Sequence, residues 1–126
     1  MSKTAITSPE LTPPVGPFSQ AIEVGGFLHF SGQVGQDPAT GKVVEGGILA
    51  ETERVFRNLA AVLKAAGKSF DDVVRVGVFL TSMSDYGAMN GIYAKHFTQP
   101  FPARTTIGVA ALPLGACVEI DLVVRV

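Results

Sequence analysis

The most constraining part of this chain is residues 101–120, Phe-Pro-Ala-Arg-Thr-Thr-Ile-Gly-Val-Ala-Ala-Leu-Pro-Leu-Gly-Ala-Cys-Val-Glu-Ile. It carries one arginine, Arg104, and one glutamate, Glu119, among small and apolar residues. Charged side chains are almost never fully buried without a partner, so opposite charges on two apolar strands point to a built site. Pro102 suits a strand entrance, where its missing N–H costs little, and residues 105–109 read as a β-branched strand. Leu112-Pro113-Leu114-Gly115 breaks that strand, and residues 117–126 form another, rich in Val, Ile and Leu. Strand side chains alternate faces. Val118, Ile120, Leu122 and Val124 therefore share an apolar face, opposite Cys117, Glu119 and Asp121. On the earlier strand Arg104, Thr106 and Gly108 oppose Thr105, Ile107 and Val109. Each charge lies on the more polar face of its strand, while the register between the strands, and whether the two charges meet, stays open.

The remaining pattern is that of one α+β domain over residues 1–126. Residues 4–7 are a candidate edge strand, and Pro9, Pro13 and Pro14 then favour extended, irregular chain. Residues 20–24 and 27–31 read as strands joined at Gly25-Gly26, a hairpin signal. Residues 32–45 read as a loop. A helix is predicted over 48–66, with Ile48, Thr52, Val55, Leu59, Val62 and Ala66 on one stripe and Gly67 as its left-handed cap. Residues 73–80 are a strand with Val74, Val76, Val78 and Leu80 on one face and Val73, Arg75, Gly77 and Phe79 on the other. A second helix is predicted from Ser84 or Asp85 to about Phe97, its stripe being Met89, Ile92, Tyr93 and Phe97. The sum is a mixed sheet of about six strands with two helices on one face. A half-apolar second sheet face with no third layer predicts burial against further copies of the chain.

Composition excludes several functions. With 126 residues, 47% of them hydrophobic and 17% charged, the chain can bury one core and is not of disordered type. Its net charge of −1 gives no signal for nucleic acid or an anionic membrane. One cysteine, Cys117, precludes an internal disulfide and at mid-strand reads as a small buried hydrophobe. The N-terminal residues have no apolar run of signal-peptide length, and no segment approaches a membrane span, so a soluble cytoplasmic protein is expected. His29 and His96 stand in different elements without neighbours at ligand spacing, and no serine lies in a Gly-x-Ser-x-Gly elbow. No metal, cofactor or covalent intermediate is expected.

Among chemistry-bearing residues Arg104 leads. Its planar fork matches a carboxylate through two parallel hydrogen bonds, although a structural ion pair with Glu119 or another acid is the competing role. Glu119 could orient a water as general base if burial raised its pKa, or pair with Arg75, Arg104 or Arg125 across the sheet. Asn90 and Tyr93, three residues apart, share a helix face. Ser31-Gly32 alone would be only a turn.

Pro102-Ala103-Arg104, followed after the Leu-Pro break by Val118-Glu119-Ile120, resembles the C-terminal signature of the Rid family, the reactive intermediate deaminases also called YjgF-type proteins. Gly16-Pro17-Phe18-Ser19-Gln20-Ala21, Ser31-Gly32-Gln33, Asn58-Leu59, Asn90 and Tyr93 agree in the same order, so the likeness covers nearly the whole chain. It implies a chorismate-mutase-like fold and a homotrimer with three sites in clefts between subunits. It further implies hydrolysis of 2-imino and enamine acids of the 2-iminobutanoate and 2-iminopropanoate type to 2-oxo acids and ammonia. In that scheme Arg104 holds the substrate carboxylate and Glu119 positions water. Phe18, Ser31, Gly32, Asn90, Tyr93 and Thr106 line the cleft. The chain departs from the usual pattern at Phe18, where many relatives have tyrosine, and at Thr106, where many have cysteine. Three other functions stay open: a 2-oxo acid binding module without turnover, a deaminase of another amino or imino compound, and a ribonuclease or translation inhibitor.

Overall fold

The computed structural model describes residues 2–126. Strand β1 (Thr4–Ile6) pairs antiparallel with β2 (Ala21–Val24), which turns back into β3 (Phe27–Phe30). The two-residue turn sets Gly25 at φ 62° and Gly26 at φ 86°, the left-handed values that a tight hairpin demands and that glycine accepts without a Cβ penalty. The loop expected after Ser31 contains a two-residue strand, β4 (Gln33–Val34), too short for residue alternation to reveal.

Helix α1 (Gly47–Ala65) ends where the Gly67 signal placed its stop. The Lys68 N–H donates to the Leu63 carbonyl and the Gly67 N–H to that of Lys64, with Gly67 at φ 71°, a Schellman closure of two orphan carbonyls. The buried stripe of α1 is wider than the predicted one and takes in Phe56 and Leu63 beside Val55, Leu59 and Val62. Strand β5 (Val73–Leu80) follows. Its covered face keeps the expected Val76, Val78 and Leu80 and takes Val73 in place of Val74, because an irregularity between Val73 and Arg75 shifts the register and turns Val74 outward.

Helix α2 (Tyr86–Tyr93) is shorter than predicted. A 3₁₀ turn at Met83–Asp85 precedes it, and Asp85 makes no side-chain cap bond. Beyond Tyr93 the N–H groups of Lys95 and His96 bond three residues back rather than four, so the helix tightens and delivers Phe97 into the core. Strand β6 (Ala103–Gly108) runs parallel to β5 through this helical crossover. Strand β7 (Val118–Arg125) lies antiparallel to β5.

The sheet order is β1-β2-β3-β7-β5-β6, and the short β4 shares the β3 edge of β7. Seven strands thus stand where about six were expected, with both helices against one face. Leu28, Val76, Val78, Leu80, Val118, Ile120 and Val124 form the covered face, each at most 1% exposed. Phe56, Phe70, Tyr93, His96 and Phe97 make an aromatic cluster beside it. The His96 ring stacks on Phe56 at 4.2 Å and 3°, and burial lowers its pKa. The opposite face, including Phe79, Thr105, Ile107, Asp121 and Val123, carries no helix of the described residues. Among the described residues no helix is long and apolar enough to cross a membrane.

Candidate functional site

Cross-strand partners point to the same side of a sheet, so the register settles where the candidate residues face. Arg104 pairs with Val76 and Thr106 with Val78, and both valines are fully buried under the helices. Arg104 therefore lies on the helix side of β6. There its Nη1 donates to Asn90 Oδ1 at 2.8 Å and its Nη2 to the Tyr86 phenol oxygen at 3.0 Å. The guanidinium carbon sits 4.6 Å from the centre of the Tyr93 ring, within cation–π range. Burial raises the Tyr93 pKa, with Arg104 opposing. Among the described residues no carboxylate lies within ion-pair distance of Arg104. The structural ion pair that competed for this arginine is thus not formed among the described residues. Near it, the Thr106 hydroxyl is buried without a hydrogen-bond partner among the described residues.

Glu119 faces the other way. It pairs with Phe79 on β5 and Val34 on β4, on the face that no helix covers. Its carboxylate lies so close against Gly32 that a Cβ at that position would overlap it. Burial, and then the like charge of Asp121, raise the Glu119 pKa. Arg75, one of its suggested partners, instead donates to the Thr105 hydroxyl at 2.7 Å, and Arg125 pairs with Asp72 at 3.3 Å. Glu119 and Gly32 line a cavity of about 300 Å³ with Phe18, Pro14, Leu114 and Asn58. Phe18 is 55% exposed and gives this cavity an apolar wall.

Ser31 does not line the cavity. Its hydroxyl donates to the Ser19 carbonyl at 2.6 Å and its N–H to the Gln20 carbonyl at 3.0 Å, so it holds the segment that carries Phe18. Asn58 serves similarly from α1. Its Nδ2 donates to the Val34 and Gln36 carbonyls at 3.1 and 3.0 Å, and its Oδ1 accepts from Arg54. This buried amide fixes β4, and through β4 the chain that frames Glu119.

The candidates thus form two groups on opposite sheet faces: Arg104, Asn90, Tyr93 and Thr106 on one, Phe18, Gly32 and Glu119 on the other, with Ser31 behind the second. The sequence pattern does not single out Tyr86, although its place one helical turn before Asn90 is a usable signal. A larger cavity of about 500 Å³, walled by Phe70, Phe97, Phe101 and Arg125, holds none of the candidates. Among the described residues no three His, Cys, Asp or Glu side chains gather as a metal ion would require. Cys117 is half-buried rather than a fully buried hydrophobe. Its N–H and thiol both donate to the buried Glu51 carboxylate, at 2.9 and 3.1 Å, and burial followed by Glu51 pushes the thiol up to about 12, which removes it as a nucleophile.

Comparison with known proteins identifies the family. Residues 9–126 match the family model described as Endoribonuclease L-PSP. A protein from Dermatophagoides farinae named 2-iminobutanoate/2-iminopropanoate deaminase is 43% identical over 125 residues, covering 98% of both chains. A mouse protein of the same name is 45% identical over 109 residues, 86% of this chain and 81% of that one. A crystal structure of a conserved Rid family protein from Yersinia pestis superposes with a TM-score of 0.95 at 40% identity, covering 99% of this chain and 100% of that one. With its sequence matched over nearly its whole length and its fold superposed on a solved member, the chain belongs to the Rid family, the YjgF-type proteins of the L-PSP model.

Proposed function

We propose that this protein hydrolyses 2-imino acids of the 2-iminobutanoate and 2-iminopropanoate type to 2-oxo acids and ammonia, as a homotrimer whose sites lie between subunits. The observation that carries this reading is the Arg104 guanidinium, oriented by neutral hydrogen-bond acceptors and with no carboxylate in ion-pair distance among the described residues. A planar cation held open in this way suits a small carboxylate that binds through two parallel hydrogen bonds. Glu119 supplies the second function. A carboxylate with a pKa raised by burial can accept a proton from water while that water attacks. The bare sheet face supplies the third. It gives a second copy somewhere to dock, so that Arg104 of one subunit and Glu119 of another flank one substrate.

The reaction balances with water alone. Arg104 fixes the substrate carboxylate, and backbone carbonyls near residues 104–107 hold the iminium N–H. Water, activated by Glu119, adds to the iminium carbon and its proton passes to the carboxylate. The resulting carbinolamine loses ammonia as the C–N bond breaks and the C=O bond forms, and the proton on Glu119 leaves with the amine. Iminium carbon is already electrophilic, so positioning together with general-base help, worth about 10²–10⁴-fold, is sufficient.

The endoribonuclease in the family description is a separate reading. Ten basic residues against eleven acidic ones give no electrostatic footprint for a polyanion. One experiment separates these readings. An amino-acid oxidase generates imines from a panel of amino acids in the presence of semicarbazide, and loss of the semicarbazone signal reports imine hydrolysis. Wild type is expected to suppress trapping and Arg104→Ala to leave it intact. Unchanged trapping with both proteins, while the oxidase works normally, overturns the deaminase reading. Salt-sensitive RNA cleavage surviving in Arg104→Ala would favour the nuclease.

A further inference from the structure

We propose that Tyr86 is a positioning residue for Arg104, holding the guanidinium in the orientation that receives a substrate carboxylate without neutralising it. This inference rests on the deaminase reading above. An arginine reaching from a strand has several free torsions, and a bidentate contact needs all of them set. Each terminal nitrogen here is tied at a different point, Nη1 to Asn90 and Nη2 to Tyr86, so rotation of the plane breaks one bond or the other. The Tyr93 ring at 4.6 Å and the Tyr86 ring at 5.6 Å flank the cation. Tyr86, Asn90 and Tyr93 stand at positions i, i+4 and i+7 of α2, one face of a helix. The whole clamp therefore moves as a unit.

The chemistry of the acceptors matters as much as their number. An aspartate or glutamate would orient the fork equally well, but its charge would compete with the incoming carboxylate. A phenol oxygen and an amide oxygen accept hydrogen bonds and leave the positive charge uncompensated. Two of the five guanidinium donors are consumed, and three remain for the ligand. Packing gives no comparable reason for the hydroxyl. Tyr86 is 40% exposed, and Phe at this position would keep whatever the ring contributes. The phenol pKa is lowered, first by hydrogen bonding with Asn90 and then by the charge of Arg104, as expected for an oxygen facing both groups.

The test compares Tyr86→Phe, Tyr86→Glu and Arg104→Ala by steady-state imine hydrolysis and by calorimetric binding of 2-oxobutanoate. Tyr86→Phe is expected to raise KM and the Kd for 2-oxobutanoate about three- to tenfold with a smaller change in kcat, the pattern of a lost uniform binding contribution. Tyr86→Glu, which keeps an acceptor but adds a competing charge, is expected to bind more weakly than Tyr86→Phe. Unchanged KM and Kd in Tyr86→Phe, a fall in kcat alone, or binding by Tyr86→Glu as tight as wild type would each overturn the inference. Failure of the underlying reading looks different. Normal turnover by Arg104→Ala defeats the deaminase mechanism itself, whereas an inactive Arg104→Ala beside a wild-type-like Tyr86→Phe defeats only the role of Tyr86.

Discussion

Arg104 and Glu119 project from opposite faces of one β-sheet. Arg104 stands opposite Val76, under the helices, and Glu119 opposite Phe79, on the face no helix covers. Each charge is on the more polar side of its own strand, yet the strands present those sides in opposite directions. Neither neutralises the other within the chain, and each keeps a separate environment: an aromatic and amide clamp for the cation, a glycine-floored apolar cavity for the acid.

Replacing Arg104 by lysine keeps the charge and loses the fork. One ammonium cannot occupy the positions of both Nη1 and Nη2, so the contacts to Asn90 and Tyr86 cannot both survive. Steady-state kinetics should show kcat/KM down by about tenfold or more in Arg104→Lys, the scale of one lost charged hydrogen bond, and by a further factor in Arg104→Ala. Activity of Arg104→Lys equal to wild type would show that only charge matters at this position.

The pH profile should carry the mark of Glu119. The carboxylate must be ionised to accept a proton, and burial followed by Asp121 raises its pKa. Activity should therefore fall on the acid side at a pH above the ordinary glutamate range. Asp121→Asn removes the like charge, so the acid limb should move to lower pH, while Glu119→Gln should abolish the limb together with most of kcat. A limb that stays in place in Glu119→Gln belongs to another group.

Gly32 is a steric prediction. Its backbone φ does not require glycine, but a Cβ there would overlap the Glu119 carboxylate. Gly32→Ala must push that carboxylate aside, and displacement by about an ångström costs on the order of 10²-fold in rate. Circular dichroism and melting temperature should stay near wild type, because the group that yields is a side chain at a cavity and not part of the core. Near-normal kcat in Gly32→Ala would show that the carboxylate position is not critical.

Much of this arrangement was legible in the sequence, for identifiable reasons. The alternation in residues 118–125 and the helical stripe around Val55, Leu59 and Val62 reflect burial directly, and Gly67 marked the helix end because its left-handed φ suits glycine. The register shift at Val73/Arg75 was not legible, since both Val73 and Val74 are apolar and only the ladder decides which faces inward. Strand β4 is fixed by Asn58 from a helix more than twenty residues away, a tertiary cause with no local pattern. The resemblance led to Asn90 and Tyr93, but the contribution of Tyr86 appears only when α2 and β6 are packed together and its hydroxyl meets Arg104.

The separation of Arg104 from Glu119 leads to the most decisive prediction. If each site takes Arg104 from one subunit and Glu119 from the next, then Arg104→Ala and Glu119→Gln damage different halves of it. The two inactive variants, unfolded together and refolded as a mixture, should then give assemblies in which an intact Arg104 meets an intact Glu119. With random assembly at equal concentration about one site in four is whole, so about a quarter of wild-type activity should return. Light scattering should show the same trimeric mass for both variants and the mixture. Refolded mixtures of that mass that stay inactive would place both residues' function within single subunits, and a monomeric mass for active wild type would remove the shared site altogether.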